Sequence, residues 1–245
     1  MAGHSKWANI KRRKAAVDAK RGKIFTRLLR EVMIAARMGG GDPDGNPRLR
    51  SAIADARGNN VPNDNIDRAI KKGVGELGGA AVEEVVYEGY GPGGVAMLVE
   101  VATDNRNRTV GEVRHAFTKY GGNLGENGSV AYLFDRRGYF VVEAEEMAED
   151  AFLEMALELE VDDVTTGDEA FEIFTIPERY NEIKASLAER EVPVAVGQLA
   201  WIPQTTVGLD DGKTTSAMRL IEALEDLDDV QNVWANLEVD ETAVA

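Results

Sequence analysis

The stretch GYFVVEAEEMAEDAFLEMALELEVDDVTTGDEAFEIFTIPERYNEIKASLAEREVPVAV, residues 138–196, decides the fold. Tyr139–Ala144 is rich in aromatic and β-branched residues and predicts a strand. Glu146–Glu160 follows as a helix, with Ala148, Phe152, Met155, Ala156 and Leu159 on one face. Asp163–Thr166 and Phe171–Ile176 predict two strands around a turn at Gly167-Asp168. Pro177–Glu189 predicts a helix with proline in its first turn, and Val192–Val196 closes the set. The order β-α-β-β-α-β is the ferredoxin-like arrangement.

The flanks of this unit complement each other. Val85–Tyr90 and Val95–Thr103 predict a hairpin around Gly91-Pro92-Gly93-Gly94. Thr109–Tyr120 predicts a helix and Ser129–Phe134 a further strand. Beyond residue 196, Leu199–Gln204 and Val230–Val239 are strand-like, and Ser216–Asp228 is an amphipathic helix. The second flank supplies the helix and strands that the first lacks, so one domain is expected from 81–135 plus 197–245, with 136–196 inserted into it.

Residues 1–80 read as helical throughout. Phe25, Leu28, Leu29, Val32 and Ala36 form one apolar face, with Lys23, Arg27, Arg30 and Arg37 opposite it at about 100° per residue. Gly39-Gly40-Gly41 ends that helix. Asn46 and Pro47 predict the next N-cap and first turn, and Pro62-Asn63-Asp64 the start of a third helix that stops at Gly73. The expected fold class is therefore α+β with three domains: an all-helical N-terminal domain and two α/β domains, the last a ferredoxin-like unit inserted into the middle one.

Charge is distributed very unevenly. The chain carries a net −15, yet residues 1–40 hold eleven basic and two acidic side chains, a net +9. Residues 41–80 hold six of each, and residues 81–245 hold eleven basic and thirty-five acidic groups, a net −24. A basic arm on an acidic body implies contact with a polyanion at one end only. The run Lys6, Lys11, Arg12, Arg13, Lys14, Lys20, Arg21, Lys23, Arg27 and Arg30 has the composition of a phosphate-binding segment, because each cation that meets a phosphate releases condensed counterion. Trp7 lies within it, placed to stack on a base or to pack on the domain. The plainer alternative for the run is a solvated helix face.

Several classes are disfavoured. There are no cysteines and only two histidines, His4 and His115, which rules out thiol chemistry and leaves little for a metal site or a histidine base. No nucleophile–base motif is present, so no enzyme, metal or cofactor is expected. Neither a signal peptide nor an apolar run of about 20 residues is evident, so a cytoplasmic chain without membrane contact is expected. Gly89-x-Gly91-x-x-Gly94 has dinucleotide-loop spacing but precedes a strand, which favours a hairpin turn. Gly212-Lys213-Thr214 lacks the upstream glycine of a phosphate loop and reads as a loop before a helix. Asp42-x-Asp44-x-Asn46 lacks the bidentate glutamate of a calcium loop. In Asp104-Asn105-Arg106-Asn107-Arg108-Thr109 the Asp and Asn suit turns and caps, while Arg106 and Arg108 are candidates for a second contact with RNA or protein.

The string Ala2-Gly3-His4-Ser5-Lys6-Trp7-Ala8-Asn9-Ile10-Lys11 closely resembles the YebC/PmpR family, related to the mitochondrial translational activator of cytochrome c oxidase. Asn59-Asn60-Val61-Pro62, Tyr87 to Gly94 and Thr103 to Thr109 carry the same resemblance. It covers essentially the whole chain. It implies three domains and a non-enzymatic regulator, either a DNA-binding transcriptional regulator or a ribosome-associated RNA-binding translation factor. It also implies that the basic positions from Lys6 to Arg30 lie on the contact surface. The expected partner is DNA or ribosomal RNA, with the acidic domains available to the ribosome or other proteins, and the expected state is a monomer.

Overall fold

The computed structural model describes residues 21–238. Three helices open it: α1 (Arg21–Gly39), α2 (Pro47–Gly58) and α3 (Asn63–Gly73). Val32, Ala35 and Ala36 of α1 are buried against Leu49, Ala52, Ile53 and Ala56 of α2 and Ile66 and Ala69 of α3, with Phe25, Leu28 and Leu29 packed alongside. The apolar periodicity of α1 thus becomes the core of the helical domain. Asn46 joins two helix ends: its side-chain oxygen accepts from Leu49 N at 3.1 Å, and its amide donates to Ala35 O and Gly40 O, both at 2.8 Å. One side chain therefore satisfies groups that a helix start and a helix end each leave open. A Cβ on Gly73 would lie 2.4 Å from Met33 O, so α3 crosses α1 at a point only glycine permits.

The second sheet-bearing layer is β1 (Glu83–Tyr90), β2 (Ala96–Thr103), α4 (Arg106–Lys119) and β3 (Asn123–Leu124), completed by α7 (Asp211–Glu225) and β9 (Val230–Ala235) from the far end of the chain. The strand order is β3-β1-β2-β9. β1 and β2 are an antiparallel hairpin, closed by a short 3₁₀ turn at Pro92–Gly94 in which Gly93 and Gly94 have φ of 73° and 83°.

Between β3 and α7 lie β4 (Phe134–Glu143), α5 (Glu149–Glu158), β5 (Asp163–Thr166), β6 (Ala170–Thr175), α6 (Tyr180–Glu189) and β7 (Val194–Pro203). Their sheet order β5-β6-β4-β7, antiparallel throughout, is the ferredoxin-like topology. Phe140, Phe152, Phe171, Ile173, Ile183 and Leu187 fill its core, with Phe140 and Tyr180 stacked 5.1 Å apart. The short parallel pair β8 (Val207–Gly208) and β10 (Leu237–Glu238) completes the elements. The fold class is α+β, with a helical first domain and two α/β domains, the ferredoxin-like one inserted. Two compact units result: the described part of residues 13–130 with 212–233, and residues 131–211 with the described residues from Trp234 onward.

Four local expectations differ from the structure, the first being the single strand expected at Val230–Val239, which is β9 and β10 in two different sheets. The strand expected at Ser129–Phe134 is a 3₁₀ turn, Ala131–Leu133, leading into β4. The Val130 N–H donates to the Glu88 carboxylate at 2.8 Å and is withdrawn from any ladder. Val192–Val196 and Leu199–Gln204 are not two strands but the single β7; Gly197 and Gln198 interrupt the apolar pattern without interrupting the pairing to β4. Gly212-Lys213-Thr214 forms the first turn of α7 rather than a loop.

A Cβ on Gly89 would lie 2.7 Å from Asn123 O and 2.8 Å from the Phe117 ring. Gly89→Ala should therefore destabilise the protein by about 1–3 kcal/mol through overpacking. Gly111→Ala, within α4 and facing open space, should stabilise it by about 0.5–1 kcal/mol. Urea unfolding curves of the two variants check both signs.

Candidate nucleic-acid interface

The sequence-assigned contact positions divide into two groups. Lys6, Trp7, Lys11, Arg12, Arg13, Lys14 and Lys20 lie outside the described residues, as does the side chain of Arg21. Lys23, Arg27 and Arg30 follow on α1 and are all partly buried or intermediate in exposure. Lys23 Nζ contacts Asp226 Oδ1 at 2.7 Å and donates to the Asp226 carbonyl at 2.8 Å. Arg30 Nη1 lies 2.6 Å from Asp229 Oδ1 and also donates to the Ala102 carbonyl. The helix face opposite the apolar one is thus turned, at these two positions, toward the protein's own carboxylates rather than open to solvent.

Asp229 organises this region. Its side chain is only 2% exposed, and Arg108 Nη2 reaches its second oxygen at 2.6 Å. Thr109 donates its hydroxyl to the same oxygen, and the Thr103 hydroxyl lies 3.2 Å away. The Asp229 carbonyl accepts from Ala102 N at 2.8 Å. Burial pushes the Asp229 carboxyl up, but Arg108, Thr109 and the charge of Arg30 together outweigh burial and hold it below its ordinary value of 3.8.

Both loop arginines also have internal partners. Arg106 pairs with Glu83 at 2.7 Å, and Arg108 bridges Asp229 and Asp104, the latter at 3.1 Å. Asn105 caps α4, accepting from Arg108 N at 3.1 Å, while its own N–H donates to Thr103 Oγ1 at 2.9 Å. Arg48 is held by Glu31 and Glu84, each at 2.7 Å. Burial lowers the Arg48 pKa, but the two carboxylates reverse that and raise it above the ordinary value. His115 is exposed on α4. These pairings escaped a reading of charge along the chain, because Asp226 and Asp229 are some two hundred residues from the cations of α1 that they meet. The dense polar run from Thr103 to Thr109 was the available signal of a built site.

Glu88 is a second buried carboxylate at work. It accepts from Gly128 N at 2.7 Å and Val130 N at 2.8 Å, fixing the loop that leads to β4. Asn59 closes α2 by donating to Asp55 O at 2.9 Å, Asn60 takes a left-handed φ of 60°, and Val61 is buried. The motif residues within the described chain therefore build turns, caps and domain joints. Among the described residues no helix is long and apolar enough to cross a membrane.

A basic helical domain, joined to an α/β domain by the buried Arg30–Asp229 pair and the more exposed Lys23–Asp226 and Arg48–Glu84 pairs, with a ferredoxin-like insertion in the α/β domain, defines a three-domain α+β class of protein. The model of the TACO1/YebC N-terminal domain matches residues 5–76, and that of the TACO1/YebC second and third domains matches residues 82–237. The chain belongs to the TACO1/YebC family. A relative from Aquifex aeolicus named "Probable transcriptional regulatory protein" is 54% identical over 242 residues, covering 98% of this chain and 97% of its own. One of the same name from Pelotomaculum thermopropionicum is 53% identical over 98% of this chain and 100% of its own. A crystal structure of a conserved hypothetical protein from Aquifex aeolicus superposes with a TM-score of 0.84 at 52% identity, covering 92% of this chain and 93% of that one.

Removing the Asp229 carboxylate leaves Arg30 with only the Ala102 carbonyl and Arg108 with only Asp104. Asp229→Ala should cost about 3–5 kcal/mol, the usual penalty for breaking a buried pair. Because the folded-state pKa is lowered, the stabilisation is complete above the ordinary value of 3.8 and is lost as pH falls through the folded value. The stability gap between the native protein and Asp229→Asn should therefore narrow as the pH is lowered from about 5 toward 2. Thermal unfolding across that range measures it, and a constant gap would contradict the assignment.

Proposed function

We propose that this protein is a non-enzymatic regulator of gene expression that binds DNA through its basic N-terminal helical domain. The observation that carries the reading is the segregation of charge: net +9 over residues 1–40 against net −24 over residues 81–245. The acidic domains repel phosphate and confine contact to one end of the molecule. The names of the relatives, probable transcriptional regulators, support DNA as the target. Binding of this kind rests on counterion release and backbone contact more than on base readout. The acidic α/β domains then act as spacers or as docking surfaces for protein partners.

Crosslinking in cells, followed by sequencing of the bound nucleic acid, tests the target. Enrichment of promoter DNA supports the proposal, enrichment of ribosomal RNA replaces DNA by RNA, and enrichment of neither removes it. Charge reversal at Lys11, Arg12, Arg13 and Lys14 should weaken binding. It should also flatten the dependence of log K on log salt by about 0.9 for each phosphate that is no longer neutralised. Fluorescence anisotropy at a series of salt concentrations measures that slope.

A further inference from the structure

Among the described residues, most cations of the helical domain have internal partners. Lys23 and Arg30 meet Asp226 and Asp229, Arg48 meets Glu31 and Glu84, and Arg37 donates to the Val82 carbonyl. The outer face of α3 is different. Arg68, Lys71 and Lys72 are exposed, and among the described residues none of them forms an ion pair or side-chain hydrogen bond. Their spacing of i, i+3 and i+4 brings the three to one face of the helix, with Cβ atoms about 5–6 Å apart.

That face is locked in place. At about 100° per residue it lies opposite Ile66, Ala69, Ile70 and Gly73. Ile66 and Ala69 are buried in the helical core, and Gly73 touches the backbone of α1 at Met33. The acidic residues of α3, Asp64 and Asp67, lie one turn before Arg68 and Lys71 on the same side, and the last turn, with Lys71 and Lys72, carries cations alone. The four residues Asn59–Pro62 join α2 to α3, a helix–turn–helix spacing. In that arrangement the second helix reads bases with its N-terminal residues. Here those residues include Asp64 and Asp67, which repel phosphate. The free cations therefore suit the DNA backbone rather than the base edges.

We infer that Arg68, Lys71 and Lys72 on the outer face of α3 form a phosphate-contact surface for the backbone of duplex DNA. This rests on the nucleic-acid reading above and adds a site to it that charge counting did not pick out, since residues 41–80 are neutral overall. The plain alternative is that Lys71 and Lys72, in the last turn, offset the helix dipole. It does not account for Arg68, one turn earlier.

The full-length protein is titrated with a labelled DNA duplex of about 30 base pairs, long enough to exceed the span of a single module, and with an RNA duplex of matching sequence, over a range of salt. Three variants are compared: Arg68→Gln/Lys71→Gln/Lys72→Gln, the tail set Lys11→Gln/Arg12→Gln/Arg13→Gln/Lys14→Gln, and Arg114→Gln/Lys119→Gln on the exposed side of α4 as a charge control. The α3 variant should bind DNA about tenfold more weakly and shed up to about 3 from the magnitude of the salt slope, while the control keeps its slope. Arg68→Lys/Lys71→Arg/Lys72→Arg, which retains the charge, should bind as the native protein does. If the triple variant unfolds, Arg68→Gln alone should lower the slope by about 0.9. An unchanged α3 variant beside a weakened tail variant overturns this inference and leaves the proposed function standing. Equal weakening of the α3 variant and the control, or weakening on RNA alone, also overturns it. Failure of the native protein to bind either duplex removes the proposed function itself.

Discussion

The carboxylate of Asp229, set between Arg30 and Arg108, is the contact on which the arrangement of the described N-terminal half depends. Arg30 comes from α1, Arg108 from the first turn of α4, and Asp229 from the residue before β9. Its backbone carbonyl also receives the Ala102 N–H at the end of β2. One buried anion thus holds the helical domain, the strand-to-helix junction and the returning tail of the chain. Burying it alone would be prohibitive. Two guanidinium groups and the threonine hydroxyls make it stable in its ionised form, and its partners must be in place together. A buried, multiply bonded ion of this kind specifies one docking geometry more than it adds net stability.

The other motifs follow the same logic. Glu88 holds the Gly128–Val130 backbone, Asn46 closes one helix while opening the next, and Asn105 caps α4. Gly73 and Gly89 sit where a methyl group would strike a carbonyl oxygen or a ring. These residues look like ligands for something when seen in a sequence, being polar, glycine-rich and clustered. In the folded chain they satisfy backbone groups that would otherwise be buried without partners.

Much of the fold was legible in the sequence because it rests on local periodicity. The α1 face led by Phe25, the Asn46-Pro47 start, the hairpin around Gly91-Pro92-Gly93-Gly94 and the order of the ferredoxin-like unit all depend on spacing within a few turns or strands. The misread elements depend on long-range partners. Val130 looks like strand until Glu88, forty-two residues earlier, takes its N–H. Gly197 and Gln198 look like a break until their pairing with Phe140 and Tyr139 is seen. For the candidate site the sequence exposed the polar run at Thr103–Thr109 but not its centre, since Asp229 lies in an acidic tail where nothing marks one carboxylate from its neighbours.

The same long-range pairing changes what a count of charges means. A net positive segment predicts an attractive field, yet a cation already 2.6 or 2.7 Å from a carboxylate contributes little to counterion release. Lys23 and Arg30 belong to the basic run by sequence and to the domain joint by structure. Arg68, Lys71 and Lys72 belong to a neutral stretch by sequence, because Asp64 and Asp67 cancel part of their charge in the tally. In space Asp64 and Asp67 lie one turn before Arg68 and Lys71, and the last turn of α3 carries cations alone. With a screening length of about 8–10 Å at ordinary ionic strength, a phosphate meets the local cluster and not the average. The surface that counts toward binding is therefore set by which cations the fold leaves unpaired, and helix α3 carries three on one face that have no partner among the described residues.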